Sequence, residues 1–78
     1  MSLDTRLASV LSDVLEIPVE EVGESTSPAT VKTWESMRAL SIVASLEEEF
    51  GVEFTDQEII EMANYSLIKS TLQKKGVS

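Results

Sequence analysis

Apolar residues recur at intervals of three and four along the first part of the chain, which is the periodicity of one face of an α-helix. The members of this stripe are Leu3, Leu7, Val10, Leu11, Val14 and Leu15. Pro18 follows the stripe, and a proline pushes the residue before it, here Ile17, toward extended backbone. We therefore expect a first helix that ends before Pro18.

A second apolar stripe predicts the longest helix of the chain. Its members are Met37, Leu40, Val43, Ala44, Leu46 and Phe50, with Ile42 on its edge. Gly51 stands just past the last member, where helices commonly end in the left-handed conformation. The pattern predicts a helix that begins around Ser36 and ends at Gly51.

Two shorter helices are predicted nearer the C-terminus. Thr55-Asp56-Gln57-Glu58 has the form of a capping box, in which Thr55 caps the helix and the Glu58 side chain reaches back. The apolar residues of this helix are Ile59, Ile60, Met62 and Ala63. We interpret Asn64-Tyr65 as a break and Ser66 as the cap of a fourth helix. That helix carries Leu67, Ile68 and Leu72 and ends at Lys74, Lys75 and Gly76.

The connection from Pro18 to Glu35 shows no long helical pattern, although we expect Val19 and Val22 to anchor one turn on the core. Residues 23–30 have the composition of a loop, and connections of this length are often functional. The segment Val52-Glu53-Phe54 alternates like a strand but is too short to pair on its own. We therefore predict one domain, residues 1–78, that forms an all-α, small four-helix bundle with a long first loop and a short third helix.

Acidic residues dominate the charge of the chain. Its 14 Asp and Glu residues outnumber 6 Lys and Arg, which gives a net charge of −8. Such a field repels nucleic-acid phosphates and anionic membrane surfaces, and it attracts basic protein partners. No apolar run approaches the length of about 18 residues that a membrane span needs, and no signal-peptide pattern is present. We expect a monomeric cytoplasmic protein that binds no nucleic acid and spans no membrane.

The residue types present argue against an enzyme. Catalysis needs a poised base, a nucleophile or a metal, and this chain has no His, no Cys and no Gly-rich phosphate loop. Its carboxylates crowd positions that the helical pattern turns toward solvent, and the spacing of a calcium-binding loop is absent. We expect neither a catalytic site nor a metal site.

One serine stands out, in the segment Trp34-Glu35-Ser36-Met37-Arg38 at the start of the second helix. Free N–H groups and the positive end of the helix dipole would face whatever this serine carries, and they favour a covalently attached phosphodiester. Serine is also among the best N-cap residues, so Ser36 has a purely structural interpretation too. If Thr33 is the cap instead, Ser36 lies within the first turn and its hydroxyl is free.

Glu35-Ser36-Met37, at the head of a helix that ends in Leu46-Glu47-Glu48-Glu49-Phe50-Gly51, resembles the acyl carrier proteins. The resemblance covers nearly the whole chain. In that family the motif is typically Asp-Ser-Leu, and a phosphopantetheinyl transferase attaches 4′-phosphopantetheine from coenzyme A to the serine. The arm then holds acyl groups as thioesters while partner enzymes act on them. The resemblance implies that Ser36 is the attachment site and that Glu35, Met37 and Arg38 flank it.

This chain departs from the family pattern at several positions. Glu35 replaces the usual Asp, Met37 replaces the usual Leu, and Trp34 and Arg38 are unlike the residues of many fatty-acid carriers. Some carriers of amino acids use Asp-Ser-Met. Fatty-acid, polyketide, peptide and aminoacyl pathways therefore stay open as alternatives. A carrier-like bundle that has lost its prosthetic group and acts as a protein-interaction module is a further alternative.

The charges of the second helix oppose its dipole, with Arg38 in the first turn and Glu47, Glu48 and Glu49 in the last. Either they form a solvated face, or they serve recognition. In the second case Glu47 and Glu48 contact basic surfaces of acyl-loading and acyl-processing enzymes, and Arg38 flanks the phosphate of the arm.

The larger apolar residues have two interpretations as well. Trp34, Met37 and Met62 either fill the core or line a partner surface. A second group of small and branched residues either packs the core or forms a seam between the second and third helices, where relatives shelter an acyl chain. That group consists of Val43, Ala44, Ile59, Ile60 and Ala63.

Overall fold

The computed structural model describes residues 2–77 of the chain. Over that range it contains four α-helices, a short 3-10 turn at Val19–Glu21 and no strand. The helices are α1 (Leu3–Leu15), α2 (Ser36–Phe50), α3 (Asp56–Glu61) and α4 (Tyr65–Lys74). The predicted all-α bundle with a long first loop and a short third helix is confirmed.

Helix α1 ends earlier than its proline requires. Glu16 adopts the left-handed conformation (φ 58°), which a non-glycine residue rarely adopts, and it closes the helix two residues before Pro18. The Ser12 hydroxyl donates a hydrogen bond to the carbonyl of Ile17 (2.6 Å) and holds the turn. Leu3, Leu7, Val10, Leu11 and Leu15 form the buried face, as the periodicity predicts.

Helix α2 is rotated relative to the predicted stripe. Ile42, expected on the edge of that stripe, is 2% exposed, whereas Leu40, expected within it, is 65% exposed. Ala44 is also exposed, and Leu46 is fully buried. Because α2 carries apolar residues on more than one side, its periodicity alone does not tell which side faces the core.

The third and fourth helices differ from expectation at their boundaries. The capping box is confirmed, since Thr55 Oγ1 accepts from the Glu58 N–H (3.2 Å) and the Thr55 N–H donates to Glu58 Oε1 (2.9 Å). Helix α3 ends at Glu61, so Met62 is its C-cap and Ala63 lies beyond it. The cap of α4 is Asn64, whose Oδ1 accepts from the Leu67 N–H (2.9 Å). The prediction of Ser66 as that cap was wrong by two residues.

The long first loop is anchored to the bundle through polar contacts. Thr26 is only 3% exposed, and its Oγ1 accepts a hydrogen bond from the Gly23 N–H (2.8 Å). The Thr26 carbonyl accepts from the N–H of Tyr65 (3.0 Å), one of the donors that the start of α4 leaves without a partner inside the helix. Val22 packs against the core as expected, but Val19 is 47% exposed and does not anchor the turn.

Two arginines join α1 and α2 at opposite ends. Arg6, near the start of α1, donates to the Glu49 carbonyl (2.9 Å) and carboxylate (3.2 Å) at the end of α2. Arg38, near the start of α2, donates to the Val14 carbonyl and to Glu16 Oε2 (2.8 Å) at the end of α1. The two helices are therefore antiparallel, and each arginine lies at the negative end of the neighbouring helix dipole.

A second polar group joins α1 to α4. The Tyr65 hydroxyl donates to Asp4 Oδ1 (2.9 Å), and Lys69 Nζ donates to Asp4 Oδ2 (3.0 Å). The bonds from Lys69 and Tyr65 lower the pKa of Asp4 below its usual value. Burial of the ring, together with the Asp4 carboxylate, raises the pKa of Tyr65 to about 12. The ionised form of Asp4 is thus the one that the folded state stabilises.

Replacement of Asp4 by Asn should lower stability at neutral pH and matter progressively less in acid. Since the folded-state pKa of Asp4 lies below the ordinary value of 3.8, its contribution is complete above that pH and is lost as the pH falls through the folded-state pKa. Urea unfolding of the native chain and of Asp4→Asn, at neutral pH and near pH 2, measures this change.

Asp13→Asn is the matched control, because Asp13 is an exposed residue of α1 without a hydrogen bond or ion pair in the part of the chain that the structure describes. It removes the same charge but no contact. An Asp4→Asn effect that is equally large in acid and at neutral pH would contradict the assignment.

Candidate functional site

Ser36 is the first residue of α2, and its side chain is exposed. Glu35 occupies the N-cap position with extended backbone, its carbonyl accepts from the Ala39 N–H (2.8 Å), and its side chain makes no capping bond. Thr33, the other candidate cap, donates its hydroxyl to the Leu15 carbonyl (2.8 Å) instead. Neither Ser36 nor Thr33 is therefore the cap, and Ser36 lies within the first turn of α2. Within residues 2–77, the Ser36 hydroxyl has no hydrogen-bond partner.

The backbone around Ser36 is rich in unused donors. The N–H groups of Ser36, Met37 and Arg38 have no acceptor among the residues that the structure describes. No acidic residue lies in the first turn of α2. Free amides at the positive end of a helix dipole favour a bound or attached anion. The surroundings of the Ser36 hydroxyl thus fit a phosphodiester attached to that oxygen.

The segment before Ser36 is held firmly. Trp34 is 6% exposed and belongs to the core, and its N–H donates to the Val31 carbonyl (3.1 Å). With Thr33 bonded to Leu15, two consecutive residues fix the end of the long loop to the bundle. The interpretation of Trp34 and Met62 as core residues is confirmed, since Met62 is 7% exposed.

Met37 differs from those two residues, because its side chain is 77% exposed. Leu40, one turn further along α2, is 65% exposed, and Ala44 and Glu48 follow on the same side. These four residues, Met37, Leu40, Ala44 and Glu48, are called the exposed stripe of α2 below. The stripe begins next to Ser36 and runs the length of the helix.

The three glutamates at the end of α2 have different surroundings. The Glu47 carboxylate accepts a hydrogen bond from the Phe54 N–H (3.0 Å) and so holds the loop that follows the helix. Glu49 is bound to Arg6. Glu48 is exposed and has no hydrogen bond or ion pair in the described part of the chain. Of the two predicted partner contacts, Glu48 is free to meet a partner, whereas Glu47 also has an internal role.

Arg38, predicted to flank the phosphate of the arm, has its guanidinium on α1. Its two terminal nitrogens donate to the Val14 carbonyl and to the Glu16 carboxylate, and its side chain is 34% exposed. The backbone N–H of Arg38, in contrast, faces the same end of the helix as Ser36. The guanidinium of Arg38 therefore lies at the end of α1, whereas its backbone N–H lies at the start of α2 with Ser36.

A small apolar cavity of about 40 Å³ lies between α2, α3 and α4. Its walls are formed by Trp34, Ala39, Leu40, Ile42, Val43, Ile59, Met62 and Ile68. Of the five residues that either pack the core or form this seam, Val43 and Ile59 line the cavity, whereas Ala44, Ile60 and Ala63 are exposed and do not. The cavity has room for a few small groups, since about 10–15 Å³ of such volume suffices for one water molecule.

Residues 2–77 contain neither a membrane-spanning helix nor a metal-binding cluster. No helix there is both long and apolar enough to cross a lipid bilayer. No cluster of three or more His, Cys, Asp or Glu side chains lies close enough together to hold a metal ion in that range.

Comparison with known proteins gives two findings. A family model described as a phosphopantetheine attachment site matches residues 5–71, which include Ser36, the whole of α2 and α3, and most of α1 and α4. The acyl carrier protein homolog of Mycoplasma genitalium is 40% identical over 47 residues. That alignment covers 55% of this chain and 56% of that protein, so the chain spans about half the length of this curated relative.

Removal of the Glu47 carboxylate should destabilise the protein, whereas removal of the neighbouring Glu48 carboxylate should not. Glu47→Ala leaves the Phe54 N–H without its acceptor, and we expect a loss of about 1 kcal/mol in the free energy of unfolding. Glu48→Ala should change it by less than about 0.5 kcal/mol. Urea unfolding of each variant measures both values.

Glu47→Gln provides the control, because its amide oxygen can still accept from the Phe54 N–H. It should retain most of the stability that Glu47→Ala loses. Equal losses for Glu47→Ala and Glu48→Ala would mean that the bond to Phe54 contributes nothing measurable.

Proposed function

The chain belongs to the family of phosphopantetheine-attachment domains, and we propose that the Ser36 Oγ is the atom to which its 4′-phosphopantetheine is attached. As a member of this family, the protein is a carrier and not an enzyme. The prosthetic group supplies a terminal thiol, on which acyl or aminoacyl groups are held as thioesters. What this chain supplies is the oxygen, its placement and the surface that partner enzymes recognise.

The exposed and unbonded Ser36 hydroxyl at the first position of α2 carries this proposal. A hydroxyl used as an N-cap would be engaged with the backbone, but here the N-cap is Glu35 and the hydroxyl remains available. The anion of a phosphodiester at this oxygen is stabilised by the helix dipole by about 0.3–1 kcal/mol at low salt. The three free N–H groups of the first turn are donors for its oxygens.

The exposed stripe of α2 is the proposed surface for partners. Met37 supplies an apolar contact beside the attachment site, and the exposed Glu35 precedes Ser36 in the chain. Glu48 supplies a negative charge about 18 Å from Ser36 along the axis of α2. We propose that the phosphopantetheinyl transferase and the acyl-loading and acyl-processing enzymes approach this stripe with basic surfaces. The monomeric state and a cytoplasmic location stay predictions from the sequence.

Incubation with coenzyme A and a broad-specificity phosphopantetheinyl transferase should raise the mass of the chain by one phosphopantetheine. Ser36→Ala should abolish the gain, because it removes the only oxygen to which we assign the bond. Ser41→Ala is the matched control, since Ser41 is an exposed serine of the same helix whose hydroxyl is bonded to the Met37 carbonyl (3.3 Å). Intact-mass spectrometry measures all three proteins.

The possible results separate the two functions considered. A gain that persists in Ser36→Ala would overturn the assignment of the site. No gain in the folded, unsubstituted chain, repeated with a transferase from the native host, would favour a carrier-like interaction module without a prosthetic group.

Charge reversal at Glu48 should slow modification without unfolding the domain. Glu48→Lys places a cation on the surface that we propose for basic partners, and electrostatic attraction acts mainly on the rate of association. We expect a several-fold lower rate at low salt and a smaller difference at high salt, because exposed charges are screened. Initial modification rates over a range of sodium chloride concentrations test this expectation.

Glu20→Lys changes the net charge by the same amount at an exposed position outside α2 and serves as the control. It should slow modification much less than Glu48→Lys. Equal slowing by both variants would mean that net charge, and not the stripe, attracts the transferase.

A further inference from the structure

The start of α2 lacks the stabilisation that the other helix starts have. Side chains cap α1, α3 and α4, where Ser2, Thr55 and Asn64 each accept a backbone N–H. The Glu35 side chain makes no such bond, and α2 has no acidic residue in its first turn. Among the helices of residues 2–77, the one that begins at Ser36 is thus the one without a side-chain cap.

This difference has a physical reason if Ser36 carries a phosphodiester. A capping side chain and an attached anion compete for the same free N–H groups at the start of the helix. In a helix with a side-chain cap, the hydrogen bond of the cap would have to break before those N–H groups could bind a phosphate. A start without a cap keeps its donors free, but its first turn frays more easily.

Arg38 stabilises this turn without using any of those donors. Its guanidinium reaches away from the end of α2 and bonds two acceptors of α1, the Val14 carbonyl and Glu16 Oε2. Val14 belongs to the last turn of α1, where a carbonyl finds no N–H donor within the helix. Two acceptors from different residues suit the planar, multiply donating guanidinium better than a lysine ammonium.

The Glu16 backbone supports the same interpretation. Glu16 has a φ of 58°, a conformation in which glycine is the usual residue at a helix end. A glycine at this position would relieve the strain but would remove the carboxylate that Arg38 binds. A strained residue that is kept despite this cost is expected where its side chain has a role.

We propose that Arg38 is a positioning residue for the modification of Ser36, and that Glu16 is the residue through which it acts. The pair ties the first turn of α2 to the end of α1 and keeps the acceptor serine in its helical position. This proposal rests on the proposed function of Ser36. It assigns Arg38 a contact within the bundle in place of the phosphate contact that the sequence predicts.

The proposal has a kinetic signature. We consider a transferase that binds the carrier only when the first turn of α2 is formed. Its apparent affinity for the carrier falls in proportion to the fraction of molecules in which that turn is formed. In every complex of transferase and carrier, the first turn of α2 is formed. Loss of the pair therefore raises the KM for the carrier and leaves kcat unchanged.

Arg38→Ala should raise the KM for the carrier about fivefold in the reaction with coenzyme A and phosphopantetheinyl transferase. Glu16→Gln should raise it by a smaller factor, and the double variant should be no worse than Arg38→Ala alone, because both residues act through one contact. Arg38→Lys, which keeps the charge but loses the fork, should lie between Arg38→Ala and the native chain.

Arg6→Ala is the matched control. It breaks the corresponding arginine contact at Glu49, about 20 Å from Ser36 along α2. It also removes the guanidinium that lies 4.5 Å from the centre of the Phe50 ring, so it costs the bundle at least as many contacts as Arg38→Ala. It should leave both KM and kcat unchanged. Hydrogen exchange at the Ala39 amide, which is bonded to the Glu35 carbonyl, should accelerate in Arg38→Ala and Glu16→Gln but not in Arg6→Ala.

Three results would overturn the proposal. A lower kcat in Arg38→Ala with no effect of Glu16→Gln would place the guanidinium on the phosphate or on the transferase. Equal effects of Arg38→Ala and Arg6→Ala would reduce both residues to general stabilisation. Failure of the unsubstituted chain to be modified would overturn the function of Ser36 itself, while the exchange at Ala39 would still show whether the pair holds the turn.

Discussion

The antiparallel pairing of α1 and α2 is the constraint on which the rest of the structure depends. An arginine near the start of each helix bonds backbone and carboxylate at the end of the other, Arg6 at Glu49 and Arg38 at Val14 and Glu16. Each contact supplies donors to carbonyls that a helix end leaves unpaired and puts a cation at the negative end of a dipole. Arg38 opposes the dipole of its own helix, but it complements that of its neighbour.

This pairing decides how the attachment site is presented. A long loop joins the two helices, and its last residues are fixed to the core by Trp34 and to the end of α1 by Thr33. Helix α2 therefore starts from a held segment, with the Ser36 hydroxyl in solvent and its first N–H groups unused. Stability that other helices of the bundle take from a side-chain cap comes here from contacts to α1, which leave those N–H groups free.

The acidity of the chain is divided between structure and surface. Glu47 closes the loop after α2, Glu49 binds Arg6, and Asp4 joins α1 to Tyr65 and Lys69 of α4. Glu48 lies in solvent at the end of the exposed stripe of α2. From the net charge of −8 alone, all these carboxylates would be expected to attract basic partners. Their contacts show instead that Glu47, Glu49 and Asp4 hold parts of the bundle together.

Features set by neighbours in the chain were predictable from the sequence by itself: the periodicity of α1, the Thr55–Glu58 capping box, the glycine end of α2, and the serine at its start. These depend on backbone geometry over a few residues. The tertiary structure decided which side of α2 is buried, which acceptors Arg38 finds, and which carboxylates stay free. Arg38 binds Glu16, which is 22 residues away in the sequence, and Tyr65 binds Thr26, which is still further away in the sequence. Such contacts follow from how helices pack, and local spacing does not encode them.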